Sequence, residues 1–552
     1  MMKFEEVLHE AGDFGKFQIL VLALLFIPRI IVPLHFMLHN FLGLVPPHHC
    51  AISAQDSLVN LIEDGRLTVS IPKEADGTFS SCKMYSEPQF HLLSNSSQED
   101  GNISSITQCK QGWQYDHSQF LSTISEEWNL VCEKKGLNQA SATFFFIGVT
   151  FGAVIFGLLS DRFGRKKILL VTYIVTALAG MSAAFSKSYA MFAVLRSISG
   201  MSSSGMGMLS LSLGIEWITV KNRTFTGTVI GLSWCIGNIL LAPMAYFIRD
   251  WHWLQFAVSA PCVLLIFTWW WIPESARWLL ANRQIEMAEK VLKKCAYVNG
   301  KNEYTSKVND ETLKKVMTAP NSAKFFSYWQ LVKTPQIRKT TLCNGIVWFG
   351  VAFTYYGISM RITGFGLNVY LTQFVYGAIE IPAKIGTYLV LDITGRRKGQ
   401  AWTLIITGAL IALTAVIPAE YGLLRSVTSI IGKGFSEAAF TIAFLFTAEL
   451  YPTVIRQTAL GYASFIGRIG NSVAPLILLL EDIWFYLPSI IFSVVPIICG
   501  TTAFLLRETT NTHLPETIDD IEHRGMKAAN GLLQHETELQ LMPVHQNGEL
   551  AK

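Results

Sequence analysis

Uninterrupted apolar stretches recur along nearly the whole chain. Val21 to Met37, Ile168 to Phe185, Phe256 to Trp271 and Ile490 to Leu506 are almost free of charge. Each approaches the roughly 20 residues that an apolar helix needs to cross a hydrocarbon core of about 30 Å. Twelve such stretches can be counted, near 17–39, 138–160, 168–186, 189–214, 226–248, 252–272, 341–361, 370–391, 400–418, 427–448, 457–480 and 484–506. The pattern predicts an all-α polytopic membrane protein with twelve transmembrane helices and excludes a soluble fold.

Composition agrees with the pattern. Of 552 residues 51% are hydrophobic and 15% charged, and the mean hydropathy is +0.35; soluble proteins carry about a quarter charged residues. Met1 to Gln18 mixes Glu5, Glu6, Glu10 and Asp13 with its basic residues, unlike the n-region of a signal peptide, so the first apolar run is expected to stay as a helix. The formal charge of +4 is unremarkable, and no nucleic-acid signature is visible.

The polar connections set an orientation. Asp161-Arg-Phe-Gly-Arg-Lys-Lys167, Lys221 and Arg223, Gly395-Arg-Arg-Lys398, and the Lys/Arg-rich stretch from Arg277 to Lys339 fall on one side if the spans alternate. The positive-inside bias makes that side cytoplasmic, with both termini inside; the membrane is expected to be the plasma membrane. The predicted order is an N-terminal segment 1–16, a half 17–272 containing an outer loop 40–137, an inner linker 273–340, a second half 341–506 and a tail 507–552. Within the linker, Ser275 to Lys294 reads as one or two amphipathic helices, Pro320 as a break and Asn321 to Lys339 as the lead-in to the second half. The tail after Glu516, with Gln534 to Glu538, is expected to be disordered.

The outer loop carries Cys50, Cys82, Cys109 and Cys132, with sequons at Asn95 and Asn102. An even set of cysteines beside glycan acceptors suits an oxidising, extracellular segment, and disulfides are expected; three pairings are open. Cys235, Cys262, Cys295, Cys343 and Cys499 read as packing residues.

The two halves echo each other. Asp161, Gly164 and Arg165 are matched by Asp392, Gly395 and Arg396; Glu216 and Arg223 by Glu449 and Arg456; Glu274 by Glu508. Duplicated halves are the mark of many secondary transporters, with the substrate site between them near the midplane. Asp161, Arg165, Glu216, Arg223, Asp392, Arg396, Glu449 and Arg456 are therefore expected to form a cytoplasmic gate. Their acids and bases would pair across the inner mouth, and the glycines allow the tight turns.

The Asp161–Lys167 and Asp392–Arg397 loops resemble the signature of the major facilitator superfamily. The cysteine-bearing outer loop, Pro273-Glu-Ser-Ala-Arg-Trp278 and Glu449-Leu-Tyr-Pro-Thr-Val-Ile-Arg-Gln-Thr458 look like solute carrier family 22, over the chain from Phe4 to about Glu522. Phe4-Glu-Glu-Val-Leu, Pro33-Leu-His-Phe36 and Gly434-Phe-Ser-Glu-Ala-Ala-Phe440 look most like one subtype of its organic anion branch. The resemblance implies a major facilitator fold of two pseudo-symmetric six-helix halves and alternating-access carriage of small organic anions, by uniport or by exchange for a counter-transported anion.

Ionisable groups inside a bilayer are costly and mark functional sites by default. Arg468, Lys384, Glu380, Glu437 and Lys433 lie within apolar spans. Glu380 and Lys384 share a helix face, as do Lys433 and Glu437, so local ion pairs and substrate contact are both open for these residues. Arg468 has no sequence-local acid; Glu437 on another span is a candidate partner. Its guanidinium suits bidentate capture of a carboxylate, sulfate or phosphate. By resemblance, arginine at this position goes with anion transport and aspartate with cation transport, and Lys384 matches a basic residue of anion-transporting relatives. The resemblance also places Trp234, Tyr355, Tyr356, Phe440, Phe444 and Asn40 on the cavity wall, while Phe374, His35 and His39 lie at comparable or nearby positions without that support.

A carrier of organic cations or zwitterions is the alternative within the family, and a non-transporting receptor the alternative outside it. No Walker-type loop, metal-spaced histidine cluster or nucleophile–base pair is visible, so no enzyme activity, cofactor or metal is expected; the partners are the lipid bilayer and small solutes, with the oligomeric state open.

Overall fold

The computed structural model describes residues 4–52, 61–74, 77–93, 105–301, 328–361, 367–452, 455–510, 518 and 521–522. Twelve helices follow the expected spans: α1 (Lys16–Met37), α2 (Lys135–Phe163), α3 (Arg165–Ala184), α4 (Tyr189–Glu216), α5 (Val220–Phe247), α6 (Trp251–Thr268), α7 (Pro335–Met360), α8 (Val369–Thr394), α9 (Arg396–Val416), α10 (Gly422–Leu450), α11 (Arg456–Ile477) and α12 (Leu487–Ala503). Among the described residues nine of them are long and apolar enough to cross a membrane. Of the rest, α4 is diluted by a Ser/Gly-rich centre, α7 opens on a basic turn and α12 is 17 residues long. Pro261 follows a break in α6 at Ala260, where it takes the first position of a new helical segment.

Small residues let helices touch backbone to backbone. A Cβ at Gly148 or Gly152 of α2 would lie 2.0 or 2.1 Å from the carbonyl oxygens of Ser197 and Met201 on α4, the kind of close approach that drives helix association where lipid supplies no hydrophobic force. Across the two halves α2 packs on α11 and α5 on α8.

The repeat is visible as one device built twice. Gly164 and Gly395 adopt φ of +101° and +81°, a conformation open chiefly to glycine. Behind each, a carboxylate accepts hydrogen bonds from the first amides of the next helix: Glu274 from Arg165 and Lys166 (3.1 and 3.2 Å), Glu508 from Arg396 and Arg397 (2.9 and 3.2 Å). A negative charge there also favours the helix dipole. The two caps differ in electrostatics. Burial raises the Glu274 carboxyl above its ordinary 4.5 against the pull of its amide donors. Burial also opposes ionisation of Glu508, but the Thr510 hydroxyl and the amides of Thr510, Thr509 and Arg396 outweigh it, and the group lies below 4.5.

The outer loop departs from the all-α expectation. His48–Cys50 pairs antiparallel with Trp113–Tyr115, and Lys83–Tyr85 with Ile106–Gln108. Of the three open pairings the disulfides are Cys50–Cys109 and Cys82–Cys132; Asn95 and Asn102 lie outside the described residues.

On the inner side the amphipathic stretch forms two helices, Ala276–Ala281 and Ile285–Val298. Asn299, just past the second, accepts from the Phe17 amide (2.9 Å) and donates to Ala11, Gly12 and Gln18, tying the linker to the start of α1. Helix α7 begins at Pro335, six residues before the expected span, and Glu522 of the tail accepts from the amides of Gln336 and Ile337 (3.0 and 3.3 Å) in its first turn. Pro320 and Gln534 to Glu538 lie outside the described residues.

Candidate functional site

Between the halves lies a cluster of aromatic rings. Trp234 of α5 donates to the Tyr355 hydroxyl of α7 (2.8 Å). Tyr355 packs on Tyr356 (centroids 5.1 Å) and Phe440 (5.4 Å), and Phe440 on Phe444 (5.7 Å). The five aromatics expected on the cavity wall are thus brought together. Phe36 joins them from α1, Phe146 from α2 and Trp348 from α7, with ring centroids at 5.4 Å from Trp234, 5.0 Å from Tyr356 and 4.6 Å from Phe444. Phe146 and Trp348 resemble other apolar positions in the sequence and Phe36 stands there only within a subtype motif; tertiary packing selects all three for the cluster. Phe374 points away and is 43% exposed.

Beside the rings sit two ion pairs, and neither is the local pair that helix spacing suggests. Lys384 of α8 pairs with Glu437 of α10, and Lys433 of α10 with Glu380 of α8 at 3.0 Å. The exchange between helices has a physical reason. Glu380, fully buried, also accepts from the Tyr355 hydroxyl (2.5 Å) and the Asn238 amide (3.1 Å), and Lys433 donates to Ser359 (2.6 Å) while facing the Tyr355 ring at 3.2 Å. Buried ion pairs survive only when extra hydrogen bonds offset the cost of desolvation, and pairing within each helix would forgo these donors.

Arg468 is held differently. It donates to Ser204 (2.9 Å) and to the Val149 carbonyl (3.2 Å), both across the interface on the opposite half. Glu437, the candidate partner, is taken by Lys384. Among the described residues no acid pairs with Arg468, and its Nε is buried without a partner. The two lysines and two glutamates cancel, so the cluster keeps the positive charge of Arg468.

Two further intramembrane arginines were missed by the sequence reading. Arg29 of α1 donates to the Gly207 carbonyl (2.7 Å), one turn of α4 from Ser204, and its Nε also lacks a partner. At roughly 1.5 Å per residue Arg29 and Arg468 lie about 20 and 18 Å from the inner ends of their helices, at matching depth. Arg196 of α4 is buried over the Phe145 ring (4.4 Å) and donates to the His35 carbonyl (3.3 Å). A charge inside an apolar run was the available signal for both, as it was for Arg468.

Asn40 is placed elsewhere. It is buried at the outer end and donates to the Ser359 carbonyl (2.7 Å) and Gln373 (3.0 Å) of the other half. Lys135–Asp482 (2.7 Å) and the packing of Tyr370 on Phe41, Phe120 and Tyr246 bridge the same side. His39 meets Ser141 (3.3 Å), and His35 is buried with both ring nitrogens unpartnered; both belong to the N-terminal half rather than to the aromatic cluster.

The inner charges form two like clusters, each within one half rather than across the mouth. Arg165 contacts Asp161 (2.9 Å) and Glu216 (3.3 Å); Arg396 contacts Asp392 (2.8 Å) and Glu449 (3.2 Å). These outer contacts hold the two halves together on that side, whereas each inner cluster is made of residues from one half. Arg456 donates to the Tyr451 carbonyl at 3.4 Å, and the side chain of Arg223 lies outside the described residues.

Comparison with known proteins agrees with this architecture. Residues 84–519 match the family model described as sugar (and other) transporter. Solute carrier family 22 member 7 from Bos taurus is 44% identical over 546 residues, covering 97% of this chain and 98% of that one. The Homo sapiens member 7 is 44% identical, over 95% and 97% of the two chains, and member 6 from Danio rerio 39%, over 96% of each. These relatives support the organic anion transporter branch that the sequence motifs resemble. Among solved structures, the partially occluded inward open form of the xylose transporter XylE from E. coli superposes with a TM-score of 0.55 at 14% identity, over 89% of this chain and 99% of that one, which shows a major facilitator fold. The chain is a multi-pass membrane solute carrier, not an enzyme, and it belongs to solute carrier family 22 of the major facilitator superfamily.

Proposed function

We propose that the protein carries small organic anions across the plasma membrane by alternating access. The observation that carries this reading is the uncompensated guanidinium of Arg468, within electrostatic reach of Tyr356 in the wall of aromatic rings. Flat organic substrates gain broad apolar contact from Trp234, Tyr355, Tyr356, Phe440 and Phe444. Arg468 supplies charge selection in a medium where a cation without a counter-charge is costly, and a bound carboxylate removes that cost. Arg29 adds to the positive field at the same depth. Lys384 acts through Glu437, and Lys433 with Glu380 holds Tyr355 and Trp234 in place.

In this reading the inner side is cytoplasmic, with both termini there. The Arg165 and Arg396 clusters are the two halves of a gate that closes over the inner mouth when Asn40, Lys135 and Tyr370 release the outer contacts. Exchange for a counter-anion fits the same cycle, since an anion bound at Arg468 lowers the cost of moving that charge through the occluded state.

The test is uptake of radiolabelled organic anions and organic cations into cells expressing the protein. Uptake of anions above background, with none of cations, is expected; uptake of cations alone would overturn the reading.

A further inference from the structure

A second group of cations lies at the outer end of the C-terminal half, between one and two turns of α7 beyond Tyr356. There the ends of α7, α9, α10 and α12 enclose a cavity of about 40 Å³, lined by Arg361, Arg425, Thr428, Ser429 and Ser489 among others. Arg361 donates to the Ser489 hydroxyl (2.6 Å), and Ser429 bonds the Tyr376 hydroxyl (2.5 Å). Arg425 stands within direct electrostatic reach of Arg361, and its Nε is buried without a partner. The charge of Glu481 acts on Arg361 more strongly than that of Arg425, yet among the described residues Glu481 forms an ion pair with neither arginine.

Two guanidinium groups of like charge therefore line one small space with the hydroxyls of Thr428, Ser429 and Ser489 and apolar side chains such as Ile358, Ile411 and Phe492, and no acid lines it. Such a pair repels, and the low local dielectric makes the repulsion worse. Water can satisfy the donors but brings no charge. On the same measure of volume a single water needs roughly 10–15 Å³, so the space suits one small ion with a water or two and excludes an organic substrate.

We propose that Arg361 and Arg425 form a site for a small inorganic anion of the size of chloride, separate from the transport site. The anion bridges α7 and α10 and fastens them to α12 through Ser489. Its single charge screens the repulsion between the two arginines, and a carboxylate built into position 361 removes that repulsion and the site with it.

Thermal unfolding of the purified protein in sodium chloride and in sodium gluconate, whose anion is too large to enter, tests this. Wild type is expected to unfold several degrees higher in chloride. Arg361→Asp is expected to lose that difference while unfolding in gluconate at or above the wild-type temperature. Arg425→Gln, which removes the repulsion without adding an acid, is expected to lose the difference too and gives the reading if Arg361→Asp is not recovered. Arg468→Ala is expected to keep it. Absence of a chloride effect in wild type would overturn the proposal. So would a full effect in Arg361→Asp or, where that variant is not recovered, in Arg425→Gln, or loss of the effect in Arg468→Ala, which would place the anion at the central site.

Discussion

Around the aromatic cluster the decisive quantity is net charge, and it is settled by which residue pairs with which. Lys433 and Glu380 are 1% and 0% exposed as a pair, so removing one partner strands a charge in a dry interior. Breaking a buried pair costs about 3–5 kcal/mol, whereas removing both partners is often near neutral. Lys433→Met is therefore expected to lower the thermal transition and the recoverable protein sharply, and Lys433→Met/Glu380→Gln to restore most of both, as measured by unfolding of the detergent-solubilised protein. Equal losses in single and double variants would contradict the pairing. The sequence made these ionisable residues conspicuous because any charge in an apolar run stands out. Their partners were not legible, since i,i+4 spacing names a neighbour on one helix and says nothing of a better-equipped site on the next. Asn40 shows the same limit: a polar residue near a helix end can line a cavity or close it, and only the facing half decides.

At the scale of elements, the duplicated acid–glycine–arginine motif was readable, down to the matched pairs Gly164/Gly395 and Glu274/Glu508. The two copies do not behave alike. A carboxyl raised in the fold is disfavoured as an anion there, and a neutral isostere should cost it little. A carboxyl lowered in the fold stabilises the protein at pH values above its ordinary 4.5, and that contribution disappears as pH falls through the lower folded value. Glu508→Gln is thus expected to lower the unfolding temperature at pH 7 by about 2 °C or more, with the deficit shrinking below pH 4.5. Glu274→Gln is expected to leave it unchanged or higher. A larger loss for Glu274→Gln would contradict the assignment. The strands of the outer loop and the caps from Asn299 and Glu522 left no such pattern, because each depends on one contact between distant segments.

For the whole molecule, twelve apolar spans and an internal repeat were enough to specify the fold, and they do not specify the cargo. The outer side is closed by contacts between halves, while the inner clusters each stay within one half, an arrangement suited to release toward the inner side. If these clusters meet when the cycle reverses, Asp161→Asn and Asp392→Asn should each slow turnover several-fold while surface biotinylation stays at the wild-type level. Unchanged transport rates would remove the gate from the account.

The central claim is that Arg468 selects anions, and uptake of a labelled organic anion by Arg468→Ala at matched surface expression tests it most directly. Loss of at least tenfold, with partial recovery in Arg468→Lys, is the predicted result; unimpaired anion uptake by Arg468→Ala would contradict it.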